Sequence, residues 1–235
     1  MFCGGIAVLF AVHNNFVISA FFVFLGIFFD FFDGLLARKL NVQSELGVQL
    51  DSLADMITSG LVPGIIMFKL IAMVSDQPDF ASVNNEWNSI FNWSTLKLAP
   101  LALIGLFITL ASGFRLAKFN IDEDQQSYFK GLPTPANTLL IISLPLILEF
   151  QNSDFINSII LNKWFLISLT LLSCYLLNSN IKLFALKFKD YSFKGNAIRY
   201  IFILLSSVTL IVFQFAAIPL IILLYIILSL LNKKH

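Results

Sequence analysis

Apolar runs long enough to cross a bilayer dominate this chain, for example at residues 16–39, 47–74 and 97–119. A bilayer crossing takes about 20 consecutive apolar residues. Backbone polar groups in lipid must be satisfied within the segment itself, which favours helices. Composition agrees: the 235 residues are 58% hydrophobic and 12% charged, with mean hydropathy +0.85. A soluble domain of this size needs far more polar surface. The predicted fold class is therefore all-α, a polytopic membrane helical bundle of about eight helices. Their expected ranges are 1–12, 16–39, 47–74, 97–119, 134–150, 163–180, 198–213 and 216–232. The first run would rise only about 18 Å against a hydrocarbon core of about 30 Å. It is expected to be a span cut short at its start. Neither a second domain nor an internal repeat is visible, so residues 1–235 read as one domain.

The charges order these spans. Arg38 and Lys39, then Arg115, Lys118 and Lys130, then Lys182, Lys187, Lys189, Lys194 and Arg199 fall in alternate connectors, and Lys233 and Lys234 in the tail. The intervening loop 75–96 has no Lys or Arg, and the loop 151–163 has only Lys163. By the positive-inside rule both termini and the turn near residue 43 are cytoplasmic. The formal net charge of +1 gives no electrostatic case for nucleic acid as a partner. Cys3 and Cys174 sit in apolar runs and read as buried free thiols, and His13 and His235 lack partners at ligand spacing.

Within this greasy chain the stretch "DFFDGLLARKLNVQSELGVQLDSLAD", residues 30–55, carries four aspartates. Asp30 and Asp33 are three apart on one helix, and Asp51 and Asp55 four apart on the next, so each pair shares a face. Asp33 precedes residue 43 by ten positions and Asp51 follows it by eight. Antiparallel helices would bring both pairs together about 10–15 Å from the turn. Each intramembrane carboxylate costs about 2.5–3.5 kcal/mol on insertion scales. Arg38 alone cannot balance four acids, whereas divalent cations can. Oxygen-only ligation suits Mg²⁺ or Mn²⁺, and four carboxylates suit two such ions, as in sites for in-line phosphoryl displacement. Gly34, Ala37 and Gly47 leave room beside the acids, and Arg38 is placed to clamp a phosphate. A proton relay or a packing role accounts for one intramembrane aspartate as readily as a metal does, but not for four at these spacings.

Written as Asp33-Gly34-x-x-Ala37-Arg38, eight residues, Gly47-x-x-x-Asp51-x-x-x-Asp55, with Asp30 in front, the stretch resembles the signature of the CDP-alcohol phosphotransferase family, and every position is present. The resemblance implies a membrane enzyme that transfers a phosphatidyl or similar group from a CDP-linked lipid to an alcohol, releasing CMP. It further implies two divalent ions held by Asp30, Asp33, Asp51 and Asp55. Gly34, Ala37, Arg38 and Gly47 would line the nucleotide pocket, and Asp55 would be the general base for the acceptor hydroxyl. The family is commonly dimeric, so a homodimer is implied. The family's Pro-Asn segment near the start of its first helix is not in this chain. Either the native start lies upstream or this copy holds its donor more weakly.

A second region, "SGFRLAKFNIDEDQQSYFKGLPTPAN" at 112–137, resembles the acceptor segments of the phosphatidylserine synthase branch, with Lys118 where Arg is usual. Arg115 and Lys118 lie three apart and would bind an acceptor carboxylate or phosphate; as interface anchors they would instead snorkel. The implied reaction takes CDP-diacylglycerol and L-serine to phosphatidylserine and CMP. It would run in the cell (inner) membrane, with the site facing the cytoplasm. Glycerol 3-phosphate, inositol phosphate or an aminoalcohol are the rival acceptors. A cation or proton transporter is the rival from another class, but it calls for charges distributed across the membrane depth, and only Lys69 lies well inside a span away from the acids. The helices at 198–232 have no assigned role.

Overall fold

The computed structural model describes residues 1–75, 100–121, 128–184 and 193–231. Helix α1 (Phe2–Val12) turns back into α2 (Phe16–Lys39) through a tight helix end. Asn14 takes φ 60°. The amides of Asn14 and Asn15 close onto Ala11 O (3.1 Å) and Phe10 O (2.9 Å), a Schellman ending. Asn is the side chain that accepts this left-handed backbone most readily after Gly. Asn15 then caps α2, its Oδ1 accepting from the Ile18 amide at 3.3 Å.

The same device joins α2 to α3 (Glu45–Asp55). Asn41 has φ 54°, and the amides of Asn41 and Val42 close onto Arg38 O and Ala37 O. Ser44 caps α3 through the Gly47 amide at 3.1 Å. The expected single helix at 47–74 is interrupted. Residues Met56–Leu61 form a π-helical turn before α4 (Val62–Val74). Pro63 supplies the reason: it has no N–H for the carbonyl four residues earlier. Around the turn, α1 and α2 pack closely because two glycines face it. A Cβ added at Gly26 would stand 2.9 Å from Thr58 Cγ2, and one at Gly4 2.5 Å from Thr58 Oγ1.

A 3₁₀ turn, Ala102–Leu106, leads into α5 (Phe107–Ile121). It crosses α4 so tightly that a Cβ at Gly105 would overlap the Phe68 backbone. Residues 76–99, which hold most of the expected loop 75–96 with its acids Asp76, Asp79 and Glu86, lie outside the described residues, as do Lys187, Lys189 and the tail lysines. After α5 come a short strand β1 (Tyr128–Lys130) and α6 (Thr134–Phe150). Next are α7 (Asp154–Ile160) and α8 (Lys163–Asn178), bent by 59° where a loop at 151–163 was expected. Strand β2 (Lys182–Phe184) pairs antiparallel with β1, a ribbon that no sequence pattern announces. The chain ends with α9 (Phe193–Phe213) and α10 (Ala217–Leu231), which form a hairpin broken at Gln214–Ala216, close to the expected split.

The chain is a helical membrane protein. Among the described residues four helical stretches are long and apolar enough to span a membrane, and a fifth if the bent α7–α8 pair counts as one. The predicted count of eight included α1 and α6, which fall short of a full crossing by length, and counted α9 and α10 separately where Asn196–Leu231 is one apolar stretch. One core joins α1, α2, α4, α6 and α8 around Ala7, Val23, Ile66, Ile71, Ile141 and Leu166. A second surrounds the ribbon through Leu132, Phe184, Phe202 and Tyr225. Phe2, Phe21, Phe28, Phe31 and Ile211 face outward, as lipid contact requires.

Candidate active site

The acid-bearing halves of α2 and α3 stand clear of the main core. The buried residues of α2 are Ser19, Ala20 and Val23, all before Gly26, and α3 has none. Asp30, Asp33 and Asp51 nevertheless converge, each offering a carboxylate oxygen within 4.8 Å of the others. Carboxylates this close repel unless a cation or proton lies among them. Their oxygen-only donor set fits a hard divalent ion. Asp55 is not part of this three-residue cluster. It stands one turn deeper along α3, half-buried, and accepts a long hydrogen bond from Ser59 Oγ at 3.4 Å. Its charge neighbours are Asp51 and Asp30 on one side and Arg115 on the other, with Thr134 in hydrogen-bonding contact. The four aspartates thus come together as three plus one.

Two cavities flank the cluster. A cleft of about 560 Å³ opens between α2 and α3 and is lined by Gly34, Ala37, Arg38, Gly47, Asp33 and Asp51. The four residues predicted for the nucleotide therefore share one cavity with two of the acids. Arg38 lies along its own helix, its Nε donating to Gly34 O at 2.9 Å, with its terminal nitrogens directed past the glycine. A second cavity, about 340 Å³, lies on the α1 side, where Asp30, Asp33 and Asp55 meet Phe2, Gly26 and Phe29.

The predicted acceptor pair divides. Arg115 is buried, 8% exposed, and faces both Asp55 and Tyr225. Among the described residues no acceptor reaches its Nε. Lys118 lies a turn further out, and the two join Lys130, Asn178 and Ser179 around a small hollow of about 10 Å³. That is room for about one water. Gly131 secures this corner. Its φ of 73° suits glycine, its amide donates to Ile181 O at 2.9 Å, and a Cβ there would sit 2.6 Å from Leu177 O.

Several residues of this region went unread in the sequence. Asn120 ties α5 to α3, accepting from Ser52 Oγ at 3.1 Å and donating to Gln49 at 3.5 Å. Ser59, Thr109, Thr134 and Thr138 converge on the turn behind Asp55. The Pro-Gly pair at 63–64 was the available signal for a break there.

These features define an integral membrane protein with a carboxylate cluster set beside a large cleft between two spans. A model of the CDP-alcohol phosphatidyltransferase family matches residues 1–175, and the chain belongs to that family. It is 30% identical over 146 residues to the CDP-diacylglycerol–serine O-phosphatidyltransferase of Bacillus subtilis, covering 60% of this chain and 68% of that one. To the enzymes of the same name from Methanocaldococcus jannaschii and Saccharomyces cerevisiae it is 32% and 31% identical, over 59% and 53% of this chain. The matched region spans 54% of the former and 40% of the latter.

Proposed function

We propose that this chain transfers the phosphatidyl group of CDP-diacylglycerol to the hydroxyl of L-serine, giving phosphatidylserine and CMP. The observation that carries the reading is the convergence of Asp30, Asp33 and Asp51 beside the cleft lined by Gly34, Ala37, Arg38 and Gly47. The names of the relatives support serine as acceptor.

The cleft has space for a nucleotide, and its glycines allow the pyrophosphate to approach the backbone. Arg38 is the cation available there for phosphate. Asp30, Asp33, Asp51 and Asp55 would hold two Mg²⁺ or Mn²⁺ ions, which neutralise pyrophosphate charge when bound. The serine oxygen forms a bond to the phosphatidyl phosphorus. The bond from that phosphorus to the bridging oxygen breaks, CMP leaves with the electron pair, and the Asp55 carboxylate takes the hydroxyl proton. Arg115, with Lys118 beyond it, grips the serine carboxylate. Its position next to Asp55 supports this, since the hydroxyl and carboxylate of one serine are only a few ångströms apart. The transfer is direct: no nucleophilic side chain of this chain takes part.

The chain works as one domain, residues 1–235, in the cell membrane, as a homodimer, its site toward the cytoplasm. The deciding assay measures CMP release from CDP-diacylglycerol by purified protein, with and without serine and with and without chelator. Release that needs both serine and divalent metal is expected. Release driven instead by glycerol 3-phosphate, inositol phosphate or an aminoalcohol refutes serine as acceptor, and indifference to chelator refutes the ions.

A further inference from the structure

The π-turn behind Asp55 is held from outside by hydroxyls of two other helices. We propose that Thr138 is a positioning residue for Asp55, acting through Ser59; this rests on the assignment of Asp55 as the base.

In an uninterrupted α-helix the Ser59 carbonyl would accept from residue 63. Residue 63 is proline, which has no N–H and whose ring would press on that carbonyl. The ladder shifts instead: the Val62 amide donates to Ile57 O, five residues back. A π-turn of this kind is uncommon and accumulates at functional sites. Its extra residue rotates the helix on its N-terminal side against the helix on its C-terminal side by about 100°, one residue's turn of an α-helix. It therefore sets how the Asp51–Asp55 face is aimed relative to the buried face of α4.

Two threonines meet the altered ladder. Thr138 Oγ1 on α6 lies 2.9 Å from Ser59 O, and Thr109 Oγ1 on α5 lies 3.1 Å from Gly60 O. Ser59 and Thr138 are both fully buried, so no water can substitute for the threonine. Thr138 Oγ1 also lies 2.9 Å from Thr134 O, one turn back on α6, so its single proton is shared between two carbonyls. On the other face of the same residue, Ser59 Oγ reaches Asp55 Oδ1, and Thr134 touches the same carboxylate. One hydroxyl thus fixes the backbone of the serine that orients Asp55 and the turn carrying its second partner. Asp30, Asp33 and Asp51 have no part in this link.

The test compares Thr138→Val, which keeps the shape and removes the hydroxyl, with Thr138→Ser, which keeps the hydroxyl. Turnover, KM for CDP-diacylglycerol and for serine, CDP-lipid bound per chain, and amide exchange over residues 56–64 are measured on each. Expected for the valine variant is a kcat lower by about ten- to a hundredfold, the scale on which misplaced catalytic groups act. Both KM values and the bound donor per chain should stay at wild-type levels, with faster exchange at the turn. The serine variant should recover both kcat and exchange. The inference is overturned by a valine variant with wild-type kcat, by a kcat loss matched by an equal loss of donor-binding chains, or by a serine variant that recovers neither. A wild-type protein inert toward serine sinks the proposed serine transfer. The exchange measurement needs no acceptor, so it still decides the Thr138–Ser59 link: unchanged exchange refutes it and faster exchange supports it.

Discussion

Asp55 differs from the other acids in its company. Asp30, Asp33 and Asp51 face one another across α2 and α3, whereas Asp55, beside Asp51 and Asp30, also faces Ser59, Thr134 and Arg115. Substituting each should therefore fail differently. Asp55→Asn keeps size and hydrogen-bonding capacity while removing the proton acceptor, so kcat should fall about 10²–10⁴-fold, the usual contribution of a general base. Binding of CDP-lipid, read by titration calorimetry with CDP-diacylglycerol in detergent, should change little. Asp33→Asn removes a charge from the cluster, so donor binding itself should weaken and the divalent-metal requirement should rise. Equal loss of binding in both variants would remove the distinction between the proposed base and the other three acids. The aspartates were legible in the sequence because a carboxylate in an apolar run is costly and must be explained. Ser59, Thr134 and Thr138 were not, because a hydroxyl in a membrane helix can bond its own preceding turn and so announces nothing by its presence.

Helix boundaries were read well where a cap or a turn fixed them. The α2–α3 turn falls near residue 43, where the sequence put it, with Asn41 and Ser44 as its working residues. The π-turn was missed because no charged residue interrupts residues 56–62, and periodicity does not report which carbonyl an amide chooses. The β1–β2 ribbon was missed because its strands are three residues each, with 51 residues between them. Yet the ribbon links the proposed acceptor corner to helices beyond residue 175, where the family match ends. Tyr225 of α10 donates to Phe184 O at 2.8 Å and packs edge-on against the Phe184 ring at 5.0 Å. Phe184 belongs to β2, β2 pairs with β1, and Lys130 of β1 lines the hollow with Arg115 and Lys118. Tyr225→Phe keeps the ring stack and removes one buried hydrogen bond, worth about 1 kcal/mol. Thermal unfolding should drop by about 2–4 °C. KM for serine should rise by no more than about fivefold, the equivalent of that same bond, with KM for the donor unchanged. A shift in donor KM instead would show that the C-terminal hairpin serves the nucleotide cleft and not the acceptor corner.

At the scale of the whole molecule, long-range contacts assign the turns to two ends. Ser52 on α3 bonds Asn120 at the end of α5, and Gly131 and Leu132 bond the carbonyls of Ile181 and Leu176. The α2–α3 turn, the end of α5, the ribbon and the end of α8 therefore gather at one end. At the other, Gln151 after α6 donates to Phe213 O at 2.9 Å and accepts from the Ala216 amide at 2.8 Å, clamping the α9–α10 break. The first end carries Arg38, Lys39, Arg115, Lys118, Lys130 and Lys182, and the second, among the described residues, has Lys163, with Lys69 buried in the far half of α4. The insertion bias for Lys and Arg supports the proposal that the first end faces the cytoplasm. That side also holds the carboxylate cluster and the cleft, where a water-soluble acceptor and departing CMP need access. The orientation can be read with single cysteines in a chain whose Cys3 and Cys174 are replaced by Ala. Gln43→Cys lies in the exposed α2–α3 turn and Ser153→Cys in the exposed turn after α6. In intact cells a membrane-impermeant maleimide should label residue 153 and spare residue 43 until the membrane is opened. Labelling of residue 43 from outside would turn the molecule over and put the proposed site on the wrong side for a cytoplasmic nucleotide-lipid.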